Sequence, residues 1–135
     1  MTFSTSCGAG AVRGMLAAAL VAVAPWAAAQ QDPSQFPAAA VRFLDGELPA
    51  MDAAVRSGDR TYFHDAMARM VDFADAWGFK SRANPELARF PMCTGAVQDF
   101  LVVGLCRVTP NGEDCTPMLA SGFERNLRAC RDAAR

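Results

Sequence analysis

CTGAVQDFLVVGLCRV, residues 93–108, admits two readings, and the fold class turns on the choice between them. The run is apolar on nearly every side towards its end, from Phe100 to Val103 and again at Leu105. Such a segment suits either a buried strand or a central helix. Its length, and the spacing of Ala96, Val97, Phe100, Leu101 and Gly104, favour the helix. The chain is therefore expected to be all-α.

Towards the C-terminus, Thr109 to Asp114 contains Pro110-Asn111-Gly112 and reads as a turn. Thr116 and Pro117 then read as a cap and a first helical residue, with Leu119, Phe123, Leu127 and Cys130 on one face. Towards the N-terminus, Phe79 to Pro91 reads as a boundary within the domain. There Asn84-Pro85-Glu86 opens one short helical turn and Pro91 ends it. Before that lies the most regular stripe in the chain: Phe63, Ala66, Met67, Met70, Phe73, Ala74 and Trp77, capped by Asp59 and stopped at Gly78. A first helix is expected from Pro37, with Val41, Leu44, Leu48, Met51 and Val55 as its stripe and Gly58 as its end. Pro49, close after Gly46, is expected to kink or split it. Residues 30–36 are expected to form a flexible N-terminus. The sum is one domain, residues 37–135: a small irregular antiparallel four-helix bundle in which an N-terminal hairpin covers a disulfide-stapled C-terminal helical hairpin.

Met1 to Ala29 reads as a cleaved signal peptide. Arg13 is its one basic side chain, Met15 to Ala24 is unbroken apolar, Pro25 breaks the helix, and Ala27 and Ala29 are small residues at the −3 and −1 positions. A membrane anchor needs about 20 apolar residues, about twice this run. The one early cysteine, Cys7, precedes the apolar run, so no lipid-accepting cysteine follows it. The mature chain is expected in the periplasm or secreted, with no membrane span after cleavage. An Ala- and Arg-rich, Lys-poor composition suggests a bacterial source. Without Arg13 the formal charge moves from −1 to about −2, which gives no strong field for nucleic acid or an anionic membrane.

Removing the leader reduces five cysteines to Cys93, Cys106, Cys115 and Cys130. An even count in an exported chain reads first as disulfides. Cys93 and Cys106 would lie about 20 Å apart along one helix, and Cys115 and Cys130 about 22 Å, at 1.5 Å per residue. A disulfide requires Cα atoms within about 7 Å. Two pairings survive, and antiparallel helices joined by a short turn favour Cys106–Cys115 across the turn and Cys93–Cys130 at the open end. That pairing is expected to place Cys93 just before its helix. Zinc is disfavoured because no two of these cysteines are closely spaced.

Catalytic and cofactor motifs are missing from the sequence. His64, the one histidine, has neither a free mature cysteine nor a serine in a nucleophile elbow to act with, and reads as a surface residue. No glycine-rich phosphate loop or haem-attachment pattern occurs, so no cofactor is expected. His64, Met67 and Met70 follow one another at three-residue steps and offer ligands suited to Cu(I). Set against this, Met67 and Met70 fall on the apolar stripe, where methionine fills core. Asp45, Glu47 and Asp52, with Asp65, Asp72 and Asp75, read as solvated faces. Arg125, Arg128, Arg131 and Arg135 form a basic stripe on the last helix, partly explained by the helix dipole and otherwise suited to an acidic partner.

These residues lead to the expectation of a non-enzymatic exported binding or interaction protein, such as an inhibitor, immunity or accessory protein, acting on another periplasmic protein. The alternative is a carrier holding a small apolar ligand between its helices, lined by Phe63, Met67, Phe73, Trp77, Phe100 and Phe123.

Overall fold

A computed structural model describes residues 31–79, 84–109 and 115–135. The leader expected at residues 1–29 lies outside the described residues, as do positions 110–114 of the expected turn and positions 80–83 of the expected boundary. Among the described residues there are four α-helices and no strand: α1 (Phe36–Ser57), α2 (Thr61–Trp77), α3 (Pro91–Val108) and α4 (Pro117–Ala133). Short 3-10 turns occupy Pro33–Gln35 and Pro85–Arg89.

The ambiguous run is helical, and α3 touches all three other helices. Its burial explains its composition. Val97, Phe100 and Leu101 are each at most 1% exposed, so the helix needs apolar residues on several sides. Gly104 makes the central position workable. A Cβ there would stand 2.5 Å from Cε1 of Phe63 and 2.7 Å from Sδ of Met51, so glycine lets α1 and α2 close onto α3. On another side of α3, Gly95 admits the carboxamide of Asn126 from α4 in the same way.

Gly58 and Gly78 end α1 and α2 with φ of 69° and 68°, the left-handed backbone that glycine adopts freely. The carboxylate of Asp59 accepts bonds from the Thr61 amide at 2.8 Å and the Thr61 hydroxyl at 2.6 Å, opening α2.

Three expectations require correction. Pro49 does not split α1: the helix is continuous from Phe36 to Ser57. The proline deprives only the Asp45 carbonyl of its i+4 donor, and Pro49 itself is exposed, so water can supply the lost bond. Secondly, the stretch expected to be loose before Pro37 contains a principal anchor. Asp32 caps the turn Pro33–Gln35, and Phe36 opens α1 fully buried, its ring 5.2 Å from Trp77 and 5.7 Å from Phe79. Thirdly, Pro91 opens α3 instead of ending the preceding turn, which puts Cys93 inside the first turn of the helix.

The disulfides pair as the antiparallel geometry requires. Cys93 and Cys130 are joined with Cα atoms 4.8 Å apart, and Cys106 and Cys115 with 5.2 Å. Thirteen residues at 100° place Cys106 about 140° round α3 from Cys93. Cys115 reaches it from the connection ahead of α4, so both cysteines of α3 can lie within the helix.

Candidate functional site

The acidic residues of α1 do more than face solvent. Each is met by an arginine from a different helix. Arg131 of α4 places Nη2 2.6 Å from Asp45, Arg69 of α2 grips Glu47 through Nε at 2.6 Å and Nη2 at 2.8 Å, and Arg107 of α3 reaches Asp52 at 3.1 Å. Tyr62 adds its hydroxyl, donated to Glu47 Oε2 at 2.8 Å, while the Arg69 guanidinium lies over the Tyr62 ring. The Arg69 bonds are the main force holding the Glu47 carboxyl below its usual range, with Tyr62 assisting against partial burial. Burial, and then the neighbouring carboxylate, raise the Tyr62 phenol. This cluster ties α1 to α2 and keeps its charges satisfied.

The same pairing reshapes the basic stripe of α4. Arg131 is committed to Asp45; Arg128 lies 3.7 Å from Glu124 and Arg135 3.4 Å from Asp132, both on their own helix. Arg125 forms no ion pair among the described residues and is exposed. The four cations therefore do not present a uniform positive surface.

His64, Met67 and Met70 do not converge. The His64 side chain is 91% exposed beside Asp65, Met67 is 45% exposed, and Met70 is buried in the core. Six residues at 100° carry Met70 about 120° away from His64 around α2, so the three cannot close on one ion. Among the described residues no group of three His, Cys, Asp or Glu could hold a metal.

The aromatic set expected to line a ligand cavity packs ring on ring instead. Phe43 stacks on Phe73 at 4.7 Å and meets Phe100 edge-on at 5.6 Å, while Phe36 covers Trp77. Phe63, Phe100 and Phe123 are buried core, whereas Met67 stands at the surface. Concavity lies elsewhere. A cleft of about 470 Å³ opens between the turn Pro85–Arg89 and the first half of α3, lined by Phe79, Asn84, Leu87, Ala88, Thr94 and Gln98. A smaller one of about 210 Å³ borders the Cys106–Cys115 bond. No sequence periodicity marks the larger cleft, because a 3-10 turn and the flank of a helix build it together.

Apolar side chains also reach solvent on adjoining helices. Met67 and Val71 lie one turn apart on α2; Val102 and Leu105 lie one turn apart on α3, which packs against α2. Val102 is 41% exposed, and Met118 at the start of α4 is 79% exposed. The helical period explains why this was hard to foresee: Met67 falls only about 40° from Phe63 around α2, at the edge of the buried face. No helix among the described residues is long and apolar enough to cross a membrane.

In comparison with known proteins, the chain matches no family model, no curated protein and no solved structure. Its function must be argued from its own residues.

Proposed function

We propose that the chain is an exported, non-enzymatic interaction protein of the bacterial periplasm, of the inhibitor, immunity or accessory kind, and that it engages another protein through the outer faces of α2 and α3. The observation that carries this reading is the set of apolar side chains left in solvent on these two packed helices, Met67 and Val71 on α2 and Val102 and Leu105 on α3; among the described residues the other large exposed apolar side chain is Met118, at the start of α4. Large apolar side chains grouped on adjoining elements mark interaction surfaces more often than isolated ones do. Two disulfides support the reading, since they fit an oxidising compartment and a rigid docking module. Arg125, which forms no ion pair among the described residues, is a secondary contact at most; the wider stripe of Arg128, Arg131 and Arg135 is engaged with the chain's own carboxylates.

The test is site-directed photo-crosslinking in a periplasmic extract. A crosslinker at Val102 is expected to give one stoichiometric protein adduct that Met67→Glu abolishes, while a crosslinker at Asp72, on the opposite flank of α2, gives none. Equal labelling from both positions, or none from Val102, removes the proposal. An adduct of twice the chain's own mass would make the partner a second copy.

A further inference from the structure

We infer that the cleft between the turn Pro85–Arg89 and α3 binds a neutral, mainly apolar small molecule carrying an amide or carbonyl group, which Asn84 recognises. The volume, about 470 Å³, falls within the range of small-molecule sites. Phe79, Leu87 and Ala88 give it apolar walls, and Thr94 and Gln98 stand across from them on α3. None of the described residues lining it is charged, so these walls offer an ionised ligand no counter-ion for the hydration it would lose.

Asn84 is what turns an apolar hollow into a selective one. It is the one buried polar residue among those described, only 8% exposed, and it lines the cleft. Its backbone is occupied: the amide donates to the Gly78 carbonyl at 3.3 Å, and its own carbonyl accepts from Leu87 at 3.3 Å. Its carboxamide does not cap the turn that follows and makes no hydrogen bond among the described residues. A carboxamide on the cleft wall with two donors and an acceptor to spare complements another amide, which presents the same groups in reverse. Thr94 is less available, because its hydroxyl already donates to the Pro91 carbonyl at 3.1 Å. Gln98, exposed on the rim, supplies a second carboxamide.

Phenylacetamide is the probe, titrated into the purified oxidised protein and followed by NMR. Saturable shifts are expected at the Asn84 side-chain amide and the Leu87 methyls. Phenylacetate, similar in shape but charged, should bind at least about tenfold more weakly. Asn84→Leu should weaken phenylacetamide about tenfold, the loss of one well-made hydrogen-bonded contact. Ala88→Trp, a change at the exposed rim that fills the cleft, should abolish saturation and leave the melting temperature unchanged. Saturation that survives Ala88→Trp, shifts centred on Met67 or Val102, or no saturable shift at all overturns the site. Binding lost in Ala88→Trp yet unchanged in Asn84→Leu overturns the role given to Asn84.

Discussion

Cys93 in the first turn of α3 and Cys130 in the last turn of α4 are joined with both side chains fully buried, their Cα atoms 4.8 Å apart. The bond closes 37 residues of sequence, against 9 for Cys106–Cys115. Loop-closure entropy then assigns about 4 kcal/mol to the first and about 2.5 kcal/mol to the second. Replacing Cys93 and Cys130 together by Ala should lower the unfolding free energy by the larger amount, and replacing Cys106 and Cys115 by the smaller. Urea denaturation of the two double variants measures both; the reverse order would contradict the account.

Glycines of α1 and α3 should respond oppositely to the same substitution. Gly46 has nothing within 4 Å of an added Cβ, so Gly46→Ala gains helix propensity and should stabilise by about 1 kcal/mol. Gly104→Ala drives a methyl into Phe63 and Met51, both buried, and should cost about 1–3 kcal/mol in spite of the same propensity gain. Thermal melting of the two single variants gives the signs directly.

Phe36 is the aromatic centre of the N-terminal hairpin, with Phe73, Trp77, Phe79 and Phe90 within 6.5 Å between ring centres. Phe36→Ala should cost about 3–5 kcal/mol. Removing the chain up to and including Phe36 should be at least as damaging, whereas removal up to Asp32 should be mild. Urea midpoints for the three forms test the gradient.

Acid sensitivity should divide between two carboxylates. Glu47 is held below its usual pKa, mainly by Arg69, so its contribution is complete above the unfolded pKa and is lost as pH falls through the folded one. Glu47→Gln should therefore cost stability at pH 7 and flatten the acid limb of the stability curve. Asp99 runs the other way. Desolvation beside α4 raises its pKa, against the lowering effect of the Asn126 hydrogen bond, so its contribution is complete below the unfolded pKa and is lost as pH rises through the folded value. Asp99→Asn should gain a few tenths of a kcal/mol at neutral pH, the size expected for a partly screened group, and nothing at pH 3.

Much of the fold was readable because strong local signals agreed. Gly58, Gly78, Pro117 and the apolar stripes set the helices, and rise per residue then excluded the bonds Cys93–Cys106 and Cys115–Cys130. Misreadings arose where tertiary contact overrode a local signal. Phe36 looked like part of a polar tail, yet it meets partners up to 54 residues away in sequence, which no window can register. Pro49 is tolerated because packing of α1 against three helices outweighs one absent bond. The arginine stripe was correct as a stripe, but Arg131 reaches back to Asp45 across the bundle. The cleft had no signal at all, since its walls come from a turn and a helix flank with no shared period.

One disulfide lies wholly inside the stretch that the other closes, and this nesting bears on how the chain matures. Nested loops never pass through one another, so neither bond obstructs the other, and each mispairing tethers cysteines that α3 or α4 holds far apart. Short loops close at lower entropic cost than long ones. Oxidation should therefore run from the inside outwards: Cys106–Cys115 forms while the helices are still assembling, and Cys93–Cys130 locks last, once α4 has docked. A single one-bond species should predominate along the way, with Cys93 and Cys130 still as thiols.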